Sequence, residues 1–214
     1  MPKIVDRARR RDEIVAALWR LAYRDGWDAV SLRRVAAEAG LSLGAVQHYF
    51  AGLDDLLDHA VGGVLDILDE RLAGQLGTLT DPRRAEPAVS QVLRGMIPGA
   101  GESPEAAPAP SAALSQAQAQ AQVMAWLTVV ERAARRPEMS VRLSAGSTEL
   151  ARAIAAAIRM ATPGRSSGAA ERDARGLLAL VEGLLLQLAR RDLDPAAAAA
   201  VLDRFVSGVF AADR

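Results

Sequence analysis

Between residues 31 and 50 the chain reads SLRRVAAEAGLSLGAVQHYF, and its punctuation leaves the backbone little choice. Ser31 is a strong helix N-cap, and SLRRVAAEA puts Leu32, Val35, Ala36 and Ala39 on one side. Gly40 stops that helix, and Ser42, after the apolar Leu41, is placed to cap a further short helix over LGAVQHYF. Two short helices joined by a Gly-containing turn of about three residues form a helix-turn-helix pattern. The flanks are helical too. An apolar face of Ile14, Leu18, Leu21 and Ala22 precedes the pair, with Gly26 as a left-handed stop and Trp27 and Val30 as anchors. A longer helix follows from Leu53, carrying Leu56, Leu57, Ala60, Val64, Leu65 and Leu68 towards Gly77.

Nothing in the remainder competes with helix. Aromatics make up 4% of the 214 residues, Ala and Leu dominate, and no long alternating β-branched stretch occurs, so an all-α fold is expected. Residues 86–96 read as a helix, and PGAGESPEAAPAP from Pro98 to Pro110 as a flexible loop. Helices are expected over 111–135, ended by Pro137, then 138–161, 169–191 and 195–211, with Pro195 suited to a first turn. The alternating QAQAQAQ of Gln116–Gln122 has the period of a strand, but Ala and Gln both favour helix and the neighbours are helical, so helix is expected over strand, with a frayed or partly disordered stretch as the alternative. The expectation is about nine helices, in an N-terminal domain of residues 1–52 and a larger one of 53–214.

Composition excludes several kinds of chemistry. There is no cysteine, and His48 and His59 are the only histidines, so neither a disulfide nor an ordinary metal centre is expected. A Gly-rich phosphate loop and a Ser/His/Asp arrangement are both missing, so no catalytic residue and no cofactor is assigned. The opening MPKIVDRARRR holds no apolar leader, and the longest uncharged run, Ala106 to Val130, is broken by prolines and glutamines. No membrane partner follows, and the cytoplasm is the expected compartment. Net charge is zero, yet residues 1–50 carry nine Lys/Arg against six Asp/Glu. That local excess points to a polyanion or to a solvated tail, and charge alone does not choose.

Ser31 to Val61, with the upstream RRDEIVAALWRLAYRDGWDAV, closely resembles the DNA-binding domain of TetR-family transcriptional regulators. The resemblance implies a sequence-specific regulator, a ligand-responsive repressor, that holds double-stranded operator DNA as a homodimer on a palindromic site. Leu32, Val35, Ala36, Leu41, Val46 and Phe50 would be the inner seam, leaving the opposite side to DNA. Arg33 matches a family position that reaches guanine, and Arg34 is expected on phosphate or on a carboxylate. His48 and Tyr49 match phosphate-binding positions. Ser31 and Ser42 serve as caps or phosphate donors. Leu43, Gly44 and Ala45 begin the recognition helix, where small residues permit close approach to the groove. Ala45 is placed for a thymine methyl, and Gln47 for adenine or phosphate. The basic residues Arg7, Arg9, Arg10 and Arg11 are either a phosphate-binding arm or a free tail. His59 receives no role. One departure stands out: relatives commonly carry a lysine just after HYF, where this chain has Ala51–Leu53. That lowers the expected general affinity and its salt dependence.

The C-terminal part is similar to BetI-like regulatory domains through VMAWLTVVERAARRPEM and LLALVEGLLLQLA. The similarity implies a cavity for an unidentified small-molecule effector, with Met96, Trp126, Val130, Leu143 and Gln187 as candidate lining. It also implies pairing through the last two helices. There Gly176, Ala179 and Gly183 form a small-residue stripe, and Ala198, Val201, Leu202, Phe205 and Val209 an apolar face. An intramolecular core reads the same periodicity equally well. The alternatives to a repressor are an activator, or a helical dimeric protein-binding module with a vestigial DNA-binding domain.

Overall fold

The computed structural model describes the backbone of residues 2–100 and 109–211, and the side chains of residues 7–63, 76–100 and 119–211. Among these residues there are nine α-helices and no strand, as the composition leads one to expect. In chain order they are α1 (Pro2–Asp25), α2 (Leu32–Glu38), α3 (Leu43–Gln47), α4 (Leu53–Gly77), α5 (Ala85–Gly95), α6 (Ala109–Arg135), α7 (Pro137–Ala161), α8 (Ser167–Arg190) and α9 (Pro195–Ala211). Short 3₁₀ turns occupy Trp27–Ala29 and Pro82–Arg84. Two compact units divide between Val64 and Leu65, inside α4.

The N-terminal unit is built on α1, whose Ile14, Ala17, Leu18 and Leu21 are fully buried at helical spacing. They pack with Val35 and Ala36 of α2, Val46 of α3, Phe50, and Leu56, Leu57 and Ala60 of α4. Each fully buried Leu, Ile or Phe contributes about 1.5–3 kcal/mol of transfer free energy. These first turns of α4 complete the N-terminal core with Leu56 and Leu57, and so belong to the compact unit that ends at Val64. Of the remaining face expected on α4, Val64, Leu65 and Leu68 lie outside the described side chains.

Three further expectations are adjusted. The basic stretch is not a free tail: it is helical from Pro2, and Arg10 donates to Glu13 at 2.7 Å. Arg11 lays its guanidinium 4.7 Å above the Phe50 ring. Gly26 ends α1 as expected, but at φ 84°, ψ 164°, a mirror-extended conformation and not a left-handed helical one. And α3 is shorter than the expected eight residues. Its bonding tightens at the end, Tyr49 N–H reaching the carbonyl of Val46 at 2.9 Å, so His48 and Tyr49 form a turn.

In the second unit α5, α7, α8 and α9 share one core, with Val89, Leu93, Ile154, Ile158, Val181, Leu184, Leu202 and Phe210 among its buried members. Helix α6 packs on α7 and α8 and adds Val123 to that core. Polar contacts fix the register of α5 on α9: Asp203 accepts from Ser90 Oγ at 2.9 Å and from Arg94 Nε at 2.8 Å. Pro137 is the first residue of α7, and Arg136 before it is extended, as a residue preceding proline prefers. Helix α6 covers Gln116–Gln122, in line with helix over strand for the alternating tract. Of the expected loop at Pro98–Pro110, residues 101–108 lie outside the described ones, and Ala109 and Pro110 already belong to α6. Among the described residues no helix is long and apolar enough to cross a membrane.

Candidate nucleic-acid interface

The α2–α3 pair is locked by its ends. Ser31 Oγ accepts from the Arg34 N–H at 3.3 Å, and Ser42 Oγ from the Ala45 N–H at 3.1 Å. Between them Gly40, at φ 68°, closes α2 with two bonds: its own N–H to the carbonyl of Ala37 at 3.1 Å, and Leu41 N–H to that of Ala36 at 2.9 Å. That paired closure is the Schellman arrangement, and it turns the chain so that Leu41 folds back on the core. Both serine hydroxyl protons remain available to donate.

Burial then sorts the two faces. Val35, Ala36, Val46 and Phe50 are buried, and Leu32, Leu41 and Tyr49 pack half-buried beside them. Ser42, Gly44, Gln47, His48, Arg33 and Arg34 are exposed, with Ser31, Leu43 and Ala45 at the edge. A side chain added at Gly44 would meet nothing within 4 Å, so the opening turn of α3 faces open space. His48 stands edge-on to the Tyr49 ring, centroids 5.2 Å apart.

The arginines divide sharply. Arg34 forms an ion pair with Asp25 and donates to the Ala29 carbonyl at 3.2 Å, which places it on a carboxylate and not among free cations. Arg24 donates to Glu38 at 2.8 Å and to Asp25 at 2.9 Å, and Arg20 reaches Glu38 at 3.2 Å. This network ties α2 to the end of α1. Arg33, by contrast, carries no hydrogen bond or ion pair within the described residues, and neither does the amide of Gln47. Asp55, in the first turn of α4, accepts from the Ala51 N–H at 2.9 Å.

The network has a pH signature. Hydrogen bonds from Arg24 hold both Asp25 and Glu38 below their ordinary values of 3.8 and 4.5, helped at Glu38 by Arg20. Because the folded values are depressed, the stabilisation is complete above those ordinary values and fades as pH falls through the folded ones. Urea unfolding followed through Trp19 and Trp27 should thus show a plateau above about pH 5 and a decline towards pH 3. The pair Asp25→Asn and Glu38→Gln should flatten that decline, and an unchanged slope would count against the network.

In the second unit, α8 and α9 present a mixed face. Gly176, Ala179 and Phe205 are exposed, Phe205 by 55%, and Gly183, Val201 and Val209 are half-buried. Ala198 and Leu202 are wholly buried within the unit's own core, which removes them from any surface face. Leu186, 50% exposed, extends the α8 side and was missed because the neighbouring leucines mask its phase. A cleft in this unit is lined by Gln120, Val123, Leu188, Arg191 and Asp194, with other residues. None of Met96, Trp126, Val130, Leu143 and Gln187 lines it. Met96 and Trp126 pack half-buried on the core, Leu143 and Gln187 are half-buried, and Val130 is 40% exposed.

Comparison with known proteins bears on both units. Residues 14–60 match the family described as bacterial regulatory proteins, tetR family. Residues 111–211 match the C-terminal family of BetI-type transcriptional repressors. The HTH-type transcriptional regulator PksA of Bacillus subtilis is 48% identical over 61 residues, which span 28% of this chain and 30% of that relative's length. Among solved structures, a transcriptional regulator from Rhodococcus sp. Rha1 aligns over 93% of this chain and 95% of its own, with TM-score 0.65 and 24% identity. The multidrug binding protein EbrR, complexed with malachite green, aligns over 93% and 96%, with TM-score 0.58 and 22% identity. These two likenesses concern the fold.

Proposed function

The chain belongs to the TetR family of bacterial regulatory proteins, with a BetI-type C-terminal region, and from that premise we propose that it is a ligand-responsive repressor that binds a palindromic operator as a homodimer. The observation that carries the reading is the outer face of α2–α3. Arg33 and Gln47, both without internal partners among the described residues, stand exposed on a pair of helices whose opposite face is fixed in the core. Ordered scaffolding behind unengaged polar groups is what base readout in a major groove needs. In this proposal Arg33 reads a guanine, Gln47 an adenine, and Ala45 a thymine methyl. Ser31, Ser42, Leu43, Gly44, His48 and Tyr49 meet the backbone or the groove wall. Arg34 acts through Asp25, as a positioning residue.

Two copies supply two such faces. The exposed Gly176, Ala179 and Phe205, with Gly183, Val201 and Val209 at the margin, are the proposed pairing surface of α8 and α9. An effector bound in the second unit would then shift the population towards dimers whose reading heads miss successive grooves.

Selection of bound duplexes from a random library tests the proposal, with a two-fold symmetric motif as the expected outcome. Arg33→Ala should then relax one base position by about 1–2 kcal/mol, whereas Tyr49→Phe should weaken all sites alike. Enrichment of no motif, or a motif indifferent to Arg33, would overturn the assignment.

A further inference from the structure

The cleft in the second unit lies where α8 turns into α9, and its size, about 550 Å³, falls in the range of small-molecule sites. Its walls differ in chemistry. Val123, Leu188 and Ala119 give a buried apolar floor. The Gln120 side chain donates to the carbonyl of Ala189 at 3.1 Å, fixing α6 to the end of α8 and leaving its own amide oxygen unengaged. Asp192 is neutralised by Arg190 at 2.8 Å. Two opposite charges then remain. Arg191 has no partner for its guanidinium among the described residues, and Asp194 accepts only the Ala197 N–H, at 2.7 Å.

Arg191 also holds an unusual backbone. It lies at φ 62°, the one non-glycine residue at positive φ among those described. Its N–H reaches the carbonyl of Leu188 at 3.1 Å, and that of Asp192 the carbonyl of Gln187 at 2.9 Å. That is the closure Gly40 gives to α2, here made by an arginine where glycine is the relaxed choice. Arg191 thus ends α8 at a backbone cost that glycine would not incur, and it stands in the lining of the cleft with a guanidinium that no described group engages.

We infer that this cleft binds a small zwitterion with an apolar tail, its carboxylate on Arg191, its ammonium on Asp194, and its tail on Val123 and Leu188. Both side chains are exposed and so hydrated without a ligand, but a simple anion in the cleft would be repelled by Asp194 and a simple cation by Arg191, whereas a ligand with both charges pairs with each. The buried floor favours an aliphatic remainder over a polar one. The site's role as the effector pocket rests on the DNA-binding reading above, but ligand binding itself does not.

Calorimetry on the full chain without DNA tests it with three probes of like length: norleucine, hexanoate and pentylamine. Norleucine should bind, and the two single-charge probes at least fivefold more weakly. Asp194→Asn keeps the α9 cap, since asparagine caps as well as aspartate, and should weaken norleucine at least fivefold. Arg191→Gly relaxes the backbone, so its melting temperature should hold or rise while norleucine binding falls at least tenfold. A structural arginine could not give that divergence. Absence of norleucine binding, equal binding of hexanoate, or unchanged binding by Arg191→Gly would each overturn the inference. Because no operator is present, these failures are distinct from a failure to select a DNA motif.

Discussion

Phe50→Ala should cost the N-terminal unit about 3–5 kcal/mol and abolish operator binding. Phe50 is 1% exposed at the foot of the α3 turn, among Val46, Val35, Leu56 and the apolar face of α1. Truncation leaves a cavity under the segment that must stay rigid, and removes the ring beneath the Arg11 guanidinium. The centroid of the His59 ring lies 5.6 Å from that of Phe50, and burial holds that imidazole below its ordinary 6.5. The measurement is urea unfolding in a Trp126→Phe background. The remaining tryptophans, Trp19 and Trp27, then report on the N-terminal unit alone. Phe50→Leu should lose far less, since it keeps most of the volume. A Phe50→Ala unit within about 1 kcal/mol of the parent would mean that this core collapses without harm.

Gly26→Ala should lower the same unfolding free energy by about 3 kcal/mol, for a different reason. A side chain at Gly26 would meet nothing within 4 Å, so no clash is involved. The cost is in the backbone, because φ 84° with ψ 164° is a region essentially closed to residues with a Cβ. Gly40→Ala, at φ 68°, offers the calibration. Its left-handed helical region is merely disfavoured, by about 1–2 kcal/mol. An equal loss from the two substitutions would show that the turn at Gly26 relaxes into another conformation. The same fluorescence readout decides between them.

The parts that were legible in the sequence are those written in adjacent residues. Ser31, Gly40 and Ser42 announce caps and a turn by type alone, and each makes the expected bond. The inner seam from Leu32 to Phe50 follows from helical spacing, because one-sided burial of a short helix admits a single phase. Information carried between distant segments was not legible. Asp25 meets Arg34 only after the chain has turned at Gly26, so sequence left that arginine open between phosphate and carboxylate. On α9, alanines and valines occur all round the helix, and periodicity could not say that Ala198 and Leu202 face inward while Phe205 faces out. The end of the N-terminal core lay inside an unbroken α4, where Gly62 and Gly63 stand beside the division yet do not interrupt the helix. The cleft beside Arg191 arises from Gln120 meeting the carbonyl of Ala189, a contact between residues far apart in the chain. No local pattern encodes it.

The brevity of α3, five residues from Leu43 to Gln47, has a consequence for how much a single copy can spell. So short a rod offers room for about three or four side chains to touch base edges. A word of about four letters recurs by chance every few hundred base pairs, against roughly a million or more competing positions in a genome. One reading head would therefore be spread over a crowd of accidental addresses. Rarity has to come from doubling the word at a fixed spacing, so that the odds multiply while each half stays brief.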